Sequence, residues 1–216
     1  MTLRVLTALE ARVLAVLVEK QFTVPDSYPL SLNALTLGCN QKTARDPVMN
    51  ASESEVLRAL DELRGMDLVN RVSGSRVDRY EHNFRRGIAV PGQAEALLTT
   101  LILRGPQTAA ELRANSERLH RFADISSVEA FLDELAARET PLAVKLAKAP
   151  GAREARWAHL LCGEPSGLEL QAAAGVASDR DDEILQLRAE QARLAAELES
   201  VKAQLAQIRA ELGIGA

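Results

Sequence analysis

Cysteine is almost missing from this 216-residue chain: Cys39 and Cys162 are the only two, and they stand far apart. Such a pair gives no disulfide framework and suits a reducing compartment, so a cytoplasmic location is expected. Long apolar runs are missing too. VLAVLV, from Val13 to Val18, is far short of the roughly 20 apolar residues that a helix needs to cross a bilayer, and no membrane contact is expected. The opening MTLRVLTALEARVL lacks a basic region followed by a clean apolar segment and a small-residue cleavage site, which predicts no secretion. Histidine is scarce. His82, His120 and His159 fall in different predicted elements with no ligand spacing to one another or to the cysteines, which argues against zinc. No glycine-rich phosphate loop follows a strand, no serine sits in a nucleophile elbow, and neither cysteine has a histidine nearby in sequence. No enzyme, no cofactor and no metal site are therefore expected.

What is present is charge, unevenly placed. The net charge is -4, yet residues 1–90 carry 12 Lys/Arg against 11 Asp/Glu, and residues 166–216 carry 5 against 9. The acidity belongs to the tail. Two predicted hairpins are basic: residues 68–90 hold Arg71, Arg76, Arg79, Arg85 and Arg86 against Asp78 and Glu81, and residues 141–158 hold Lys145, Lys148, Arg153 and Arg156 against Glu154.

Helix starts are marked by the pattern S/T-x-x-E, in which a hydroxyl caps one exposed N–H and the glutamate reaches back to another. Thr7 with Glu10 predicts a helix of about twelve residues through Leu9, Val13, Leu14, Leu17 and Val18. Ser31 predicts a short second helix through Leu32, Leu35 and, at its far end, Leu37, which Gly38 ends. Asn40 to Pro47 reads as a polar loop, and Ser52 with Glu55 predicts a third helix burying Val56, Leu60 and Leu63, with Leu57 widening the stripe, and closing near Gly65. Leu68–Ser73, a Gly74-Ser75-Arg76 turn and Val77–Glu81 then make a hairpin. The same order recurs: a helix after Pro91 closed by Gly105-Pro106, one from Thr108 and Glu111, one from Ser126 and Glu129 burying Val128, Phe131, Leu132 and Leu135, and a hairpin of Leu142–Lys148 and Glu154–Leu160. Tyr80 and Trp157 fall in equivalent returning strands, where packing explains them better than stacking on bases.

The fold class expected is thus α+β, mainly helical: tandem winged helix-turn-helix domains over 1–88 and 89–163, a linker over 164–180, and a coiled-coil-like helix over 181–213. In that last segment Ile184, Leu187, Gln191, Leu194, Leu198, Val201, Leu205, Ile208 and Leu212 recur at alternating spacings of three and four. A lone helix of that length is marginal in water, so the stripe needs a partner: the same segment of a second chain in a homodimer, the chain's own body, or a helical segment of another protein.

LTALEARVLAVLVEK (Leu6–Lys20), YPLSLNAL (Tyr28–Leu35), CNQKTARDPVMN (Cys39–Asn50) and REARWAHLLCG (Arg153–Gly163) resemble the uncharacterised YceH-like family, the domain of unknown function numbered 480. The resemblance implies a bacterial protein of two winged-helix domains with no established biochemical activity.

For double-stranded DNA, the candidate contacts in the first domain are Lys42 and Arg45 in the loop, Arg58 and Arg64 on the third helix, and Arg71, Arg76 and Arg79 at the wing. Glu53, Glu55, Asp61 and Glu62 share that helix and repel phosphate, and the third helix of the second domain is more acidic still. Asn40, Gln41, Thr43 and Asp46 are more economically read as braces of an irregular loop than as base contacts. Two functions follow: a DNA-binding regulator dimerised by its tail, or a non-enzymatic scaffold in which winged helices dock protein and the heptad segment recruits a partner.

Overall fold

The structure is a computed structural model. It describes residues 4–73, 77–148 and 152–165, together with Glu190, Gln191, Arg193, Glu199 and Lys202. Two compact units divide the chain, Met1–Ala173 and Ala174–Ala216. In the second, the five described residues are helical and exposed, and Glu199 and Lys202 pair at 2.8 Å one turn apart.

The first unit is mainly helical, with small antiparallel sheets. It opens on α1 (Ala8–Thr23), where Thr7 and Glu10 form the expected capping box. A single 3-10 turn over Pro25–Ser27 leads to β1 (Leu30–Ser31) and α2 (Leu32–Cys39), which Ser31 caps. A long loop leads to α3 (Glu53–Gly65), opened by the capping box of Ser52 and Glu55. The chain then turns back on itself through β2 (Val69–Val72) and β3 (Arg79–His82). β3 is the middle strand, flanked by β2 and by the two-residue β1, which pairs Leu30 with Tyr80. Five residues of α4 (Phe84–Ile88), unannounced by any cap, carry the chain onward, and Ala89 follows in the left-handed conformation.

The plan then repeats with α5 (Gly92–Arg104), α6 (Ala109–Asn115), α7 (Ile125–Ala136), β4 (Ala143–Lys145) and β5 (Trp157–His159). The correspondence extends to single residues. Leu30 pairs with Tyr80 and the next residue, Ser31, caps α2; Gln107 pairs with Trp157 and the next residue, Thr108, caps α6. His82 and His159 lie opposite the first residues of their partner strands, Val69 and Ala143. Tyr80 and Trp157 are both buried in the core, and both histidines occupy matched strand ends.

α1 and α5 pack against each other and join both repeats into one apolar core. Each is therefore buried almost all round, α1 continuously from Glu10 to Val18 and α5 from Ala94 to Leu103. Elsewhere burial is one-sided. α3 buries Val56, Ala59, Leu60 and Leu63, but Leu57 faces solvent, so the expected stripe is narrower and turned towards Ala59. α7 starts earlier than its S-x-x-E pattern suggests: Asp124, not Ser126, is the cap, its carboxylate accepting from Ser127 N at 2.7 Å. A carboxylate meets the exposed N–H groups of a helix start more strongly than a hydroxyl does, which moves the boundary.

Gly38 does not stop α2, which runs on to Cys39. Its lack of a side chain serves packing: a Cβ there would lie 2.6 Å from Val16 Cγ1 on α1. Gly65, at the end of α3, has nothing within 4 Å of the same position. One substitution should therefore have opposite effects at the two sites. Gly38→Ala is expected to cost about 1–3 kcal/mol by overpacking, partly recovered by adding Val16→Ala. Gly65→Ala should be neutral or stabilise by up to about 1 kcal/mol. Urea unfolding of the three variants measures this, and a harmless Gly38→Ala would show that α1 and α2 do not approach so closely.

Candidate functional site

The loop between α2 and α3 is held by its own polar residues. Asn40 donates to Ala51 O and accepts from Ala51 N, both at 2.8 Å, closing the loop across its base. Asp46 N donates to Leu103 O at 2.8 Å, which ties the loop to α5 of the second repeat. Arg12, on α1 beneath, donates from its two terminal nitrogens to Cys39 O at 3.2 Å and Pro47 O at 2.8 Å. The bracing role expected of Asn40 and Gln41 is thus visible in named bonds.

Arg45 is the largest departure from the expected interface. It is buried, and all five of its N–H groups are used inside the protein. Nε donates to Gly38 O, Nη1 to Glu19 Oε1 and Ala44 O, and Nη2 to Glu19 Oε2 and Gln41 Oε1, the last two at 2.6 Å. Arg45 is a brace within the fold, and no donor remains for a phosphate. The other candidates are on the surface in different states. Arg64 pairs with Asp61 at 3.1 Å, Arg71 with Asp78 at 2.7 Å, and Arg79 donates to Ser27 O and Pro29 O. Lys42 and Arg58 are exposed, with no ion pair among the described residues. Arg76 lies outside the described residues, as do the heptad positions other than Gln191, which is helical and exposed.

These states predict different responses. Arg45→Ala removes a buried guanidinium and leaves the half-buried Glu19 with Lys20 alone, and should cost about 1.5–3 kcal/mol. Lys42→Ala and Arg58→Ala should stay within about 0.5 kcal/mol. Equal, small losses in chemical denaturation would refute the assignment of Arg45 as a brace.

A second polar cluster lies where α4 meets α5. Glu95 is buried and accepts from Arg85 Nε at 2.6 Å, while its Oε1 has no donor and sits 3.6 Å from His82 Nδ1. Burial raises the Glu95 carboxyl above its usual range despite Arg85. Burial, and then the Arg85 charge, push His82 down from 6.5 to about 4. As pH falls through 6.5 the unfolded chain takes up a proton that folded His82 refuses until about pH 4. Stability is therefore fully present above 6.5 and lost between 6.5 and 4. Glu95, with its folded value raised, acts oppositely: its contribution is present at low pH and lost as pH rises through that value. His82→Gln removes the first effect alone. Urea unfolding at pH 7 and pH 4.5 should find the variant's loss on acidification smaller than wild type's by about 1–3 kcal/mol; equal losses would place the titration elsewhere.

Among the described residues no group of three or more His, Cys, Asp or Glu is placed to hold a metal ion, and no helix is long and apolar enough to cross a membrane. Burial pushes the Cys39 thiol up to about 12, which makes it a poor nucleophile. Two cavities lie along the seam of the repeats. One of about 220 Å³ is polar and is lined by Lys20, Gln41, Arg45, Arg104 and Arg118 among others. The other, about 340 Å³, lies against Arg12, Asp46, Met49, Ile102 and His159. Neither was foreseen from the sequence, because their linings come from α1, the loop, α5 and the end of α6 or the end of β5.

The class defined by this geometry is a mainly helical α+β protein in which a helix, a strand residue or two, two helices and a hairpin occur twice around one core. The family described as "Protein of unknown function, DUF480" matches residues 6–152. A UPF0502 protein of Methylibium petroleiphilum is 66% identical over 215 residues, covering 98% of this chain and 92% of its own. Another, of Burkholderia orbicola, is 63% identical over 98% of this chain and 91% of its own, and one of Paraburkholderia xenovorans is 62% identical over 100% and 92%. The chain belongs to the UPF0502 (DUF480) family.

Proposed function

We propose that the two repeats are winged helix-turn-helix units fused back to back through α1 and α5, and that they form a non-catalytic docking body whose partner is protein. In such units the third helix is the one presented to a partner. The observation that carries this reading is the exposed side of α3, which offers Glu53, Glu55, Asp61 and Glu62 against Arg58 and Arg64, with Arg64 already paired to Asp61. A DNA groove, with one phosphate charge per roughly 1.7 Å of axis, repels such a face. α7 repeats the pattern with Glu129, Asp133 and Glu134 exposed and no cation among its residues. The first repeat also exposes Leu37 on α2 (64%), Val48 in the loop (56%) and Leu57 on α3 (38%), apolar surface that gains by meeting protein. The heptad sequence over 181–213 is read as a coiled-coil helix and a second attachment point, to another copy or to a helical segment of the partner.

Lys42 and Arg58, exposed and with no ion pair among the described residues, favour DNA as the second reading, with Arg71, Arg76 and Arg79 of the hairpin assisting.

Two measurements on the full chain separate them. A photo-crosslinking residue placed at Leu37 or Leu57 should give discrete protein adducts in bacterial cells, and the same residue at exposed Glu139 should give none. Anisotropy titration of a random duplex at three salt concentrations should show weak binding that Arg58→Ala leaves unchanged. Tight binding that falls steeply with salt, with a slope reduced by about one in the Arg58 variant, and no adducts at either leucine would overturn the protein reading in favour of DNA.

A further inference from the structure

The larger cavity has the makings of a ligand site. At about 340 Å³ it is within the ordinary range for small-molecule pockets, roughly 300–1,000 Å³. Ala8, Ala11, Met49, Leu101, Ile102 and Pro106 give it apolar walls. Three charged groups break that lining, Arg12 on one side and the exposed carboxylates of Asp46 and Glu164 on the other, and neither Arg12 nor Asp46 is neutralised by contact. Arg12, 1% exposed, has no ion pair; its terminal nitrogens each serve one backbone carbonyl, and its Nε–H has no acceptor. A buried guanidinium without a carboxylate in contact is costly, because its desolvation is only partly offset by carbonyl oxygens. Arg45, itself fully committed to Glu19, Gln41 and carbonyls, adds like charge nearby, while the carboxylates of Asp46 and Glu19 act on Arg12 only from beyond contact distance. Asp46 also lines the cavity; it is exposed, and its carboxylate makes no hydrogen bond or ion pair among the described residues. Gly105 leaves room for that carboxylate, since a Cβ there would lie 3.2 Å from Asp46 Oδ2.

We propose that this cavity binds a small zwitterion with an apolar side chain, of the class of aliphatic or aromatic α-amino acids, its carboxylate towards Arg12 and its ammonium towards Asp46. Each end of such a ligand brings its wall a countercharge nearer than the one the opposite wall supplies, and the side chain fills the apolar remainder. A plain carboxylic acid would satisfy Arg12 but meet Asp46 with like charge. A plain amine would leave Arg12 as it is.

Calorimetry and thermal melting of the full chain test this with three families of probe: leucine and phenylalanine, 4-methylpentanoate, and isoamylamine. At least one of the amino acids should bind and raise the melting temperature, about tenfold or more tighter than the acid or the amine, the usual loss when a charged partner is removed. Arg12→Gln alone is a poor test, because Arg12 also holds Cys39 and Pro47 and the variant can fail to fold. Asp46→Asn, at an exposed side chain, should remove the advantage of the amino acid over 4-methylpentanoate. Ala8→Phe, at an exposed position on the rim, should block binding while leaving the melting temperature of the unliganded protein nearly unchanged. Equal binding of leucine and 4-methylpentanoate, or indifference to Asp46→Asn, would overturn the zwitterion assignment. Absence of binding by every probe would overturn the site itself.

Discussion

The packing of α1 against α5 is the constraint from which the rest of the described body follows. A helix that meets neighbours on every side has no solvent face on which to put charge. α1 and α5 nevertheless contain Glu10, Arg12, Glu95, Thr99 and Thr100, all buried. Each such group must find a partner inside or impose a penalty. Glu10 is satisfied by Arg4 and by its own cap, Thr100 by Ala96 O one turn back. Glu95 is half satisfied by Arg85, Arg12 is partly satisfied by carbonyls alone, and Thr99 Oγ1 has no partner among the described residues. The unusual chemistry of the molecule is thereby concentrated along one seam.

The loop between α2 and α3 belongs to the same seam. It is too long for a tight helix-to-helix turn, and its bonds show what the added length does. Through Arg45 it is clamped to Glu19 of α1, and through Asp46 N to Leu103 of α5. Arg12 and Arg45 illustrate two solutions for a buried guanidinium. Arg45 has a bidentate carboxylate and no spare donor; Arg12 has neither a carboxylate nor a full set of acceptors. A purely structural role is complete in Arg45 and incomplete in Arg12, which is why the proposed ligand is placed beside Arg12 and not beside Arg45.

Much of the fold was legible because its signals are local. Three of the four S/T-x-x-E patterns are capping boxes in the structure, and the alternation of apolar residues places both hairpins to within a few residues. The failures have non-local causes. β1 and the Gln107–Trp157 bridge are too short to show periodicity and exist only because a returning strand lies beside them. α4 has no side-chain cap. Gly38 looks like a helix stop in sequence, and only the approach of Val16 shows its purpose. Leu57 satisfies helical spacing but lies just outside the buried arc that Ala59 completes. Candidate site residues fared least well, since a cation's availability depends on what folds beside it. No spacing rule would have set Glu19 against Arg45, 26 residues away, or brought Arg12 and Asp46 to one cavity.

That dependence also decides how the charge of the first repeat is to be weighed. Its cations outnumber its carboxylates in the hairpin region, and counting alone favours a polyanion. Position reverses the inference. Arg45 is removed by burial, Arg64 and Arg71 have carboxylates within 3.1 Å, and Arg79 is turned back onto the carbonyls before β1. Exposed pairs of this kind hold by less than about 1 kcal/mol, so a phosphate can compete for them. It must then also face the carboxylate it displaces. On α3 that carboxylate, Asp61, stands beside Glu62, with Glu53 and Glu55 a turn or two away. A protein partner meets no such penalty: it can answer both signs on one face and bury Leu37, Val48 and Leu57 as well. The surface of the first repeat is therefore better matched to a mixed, partly apolar complement than to a uniform line of phosphates.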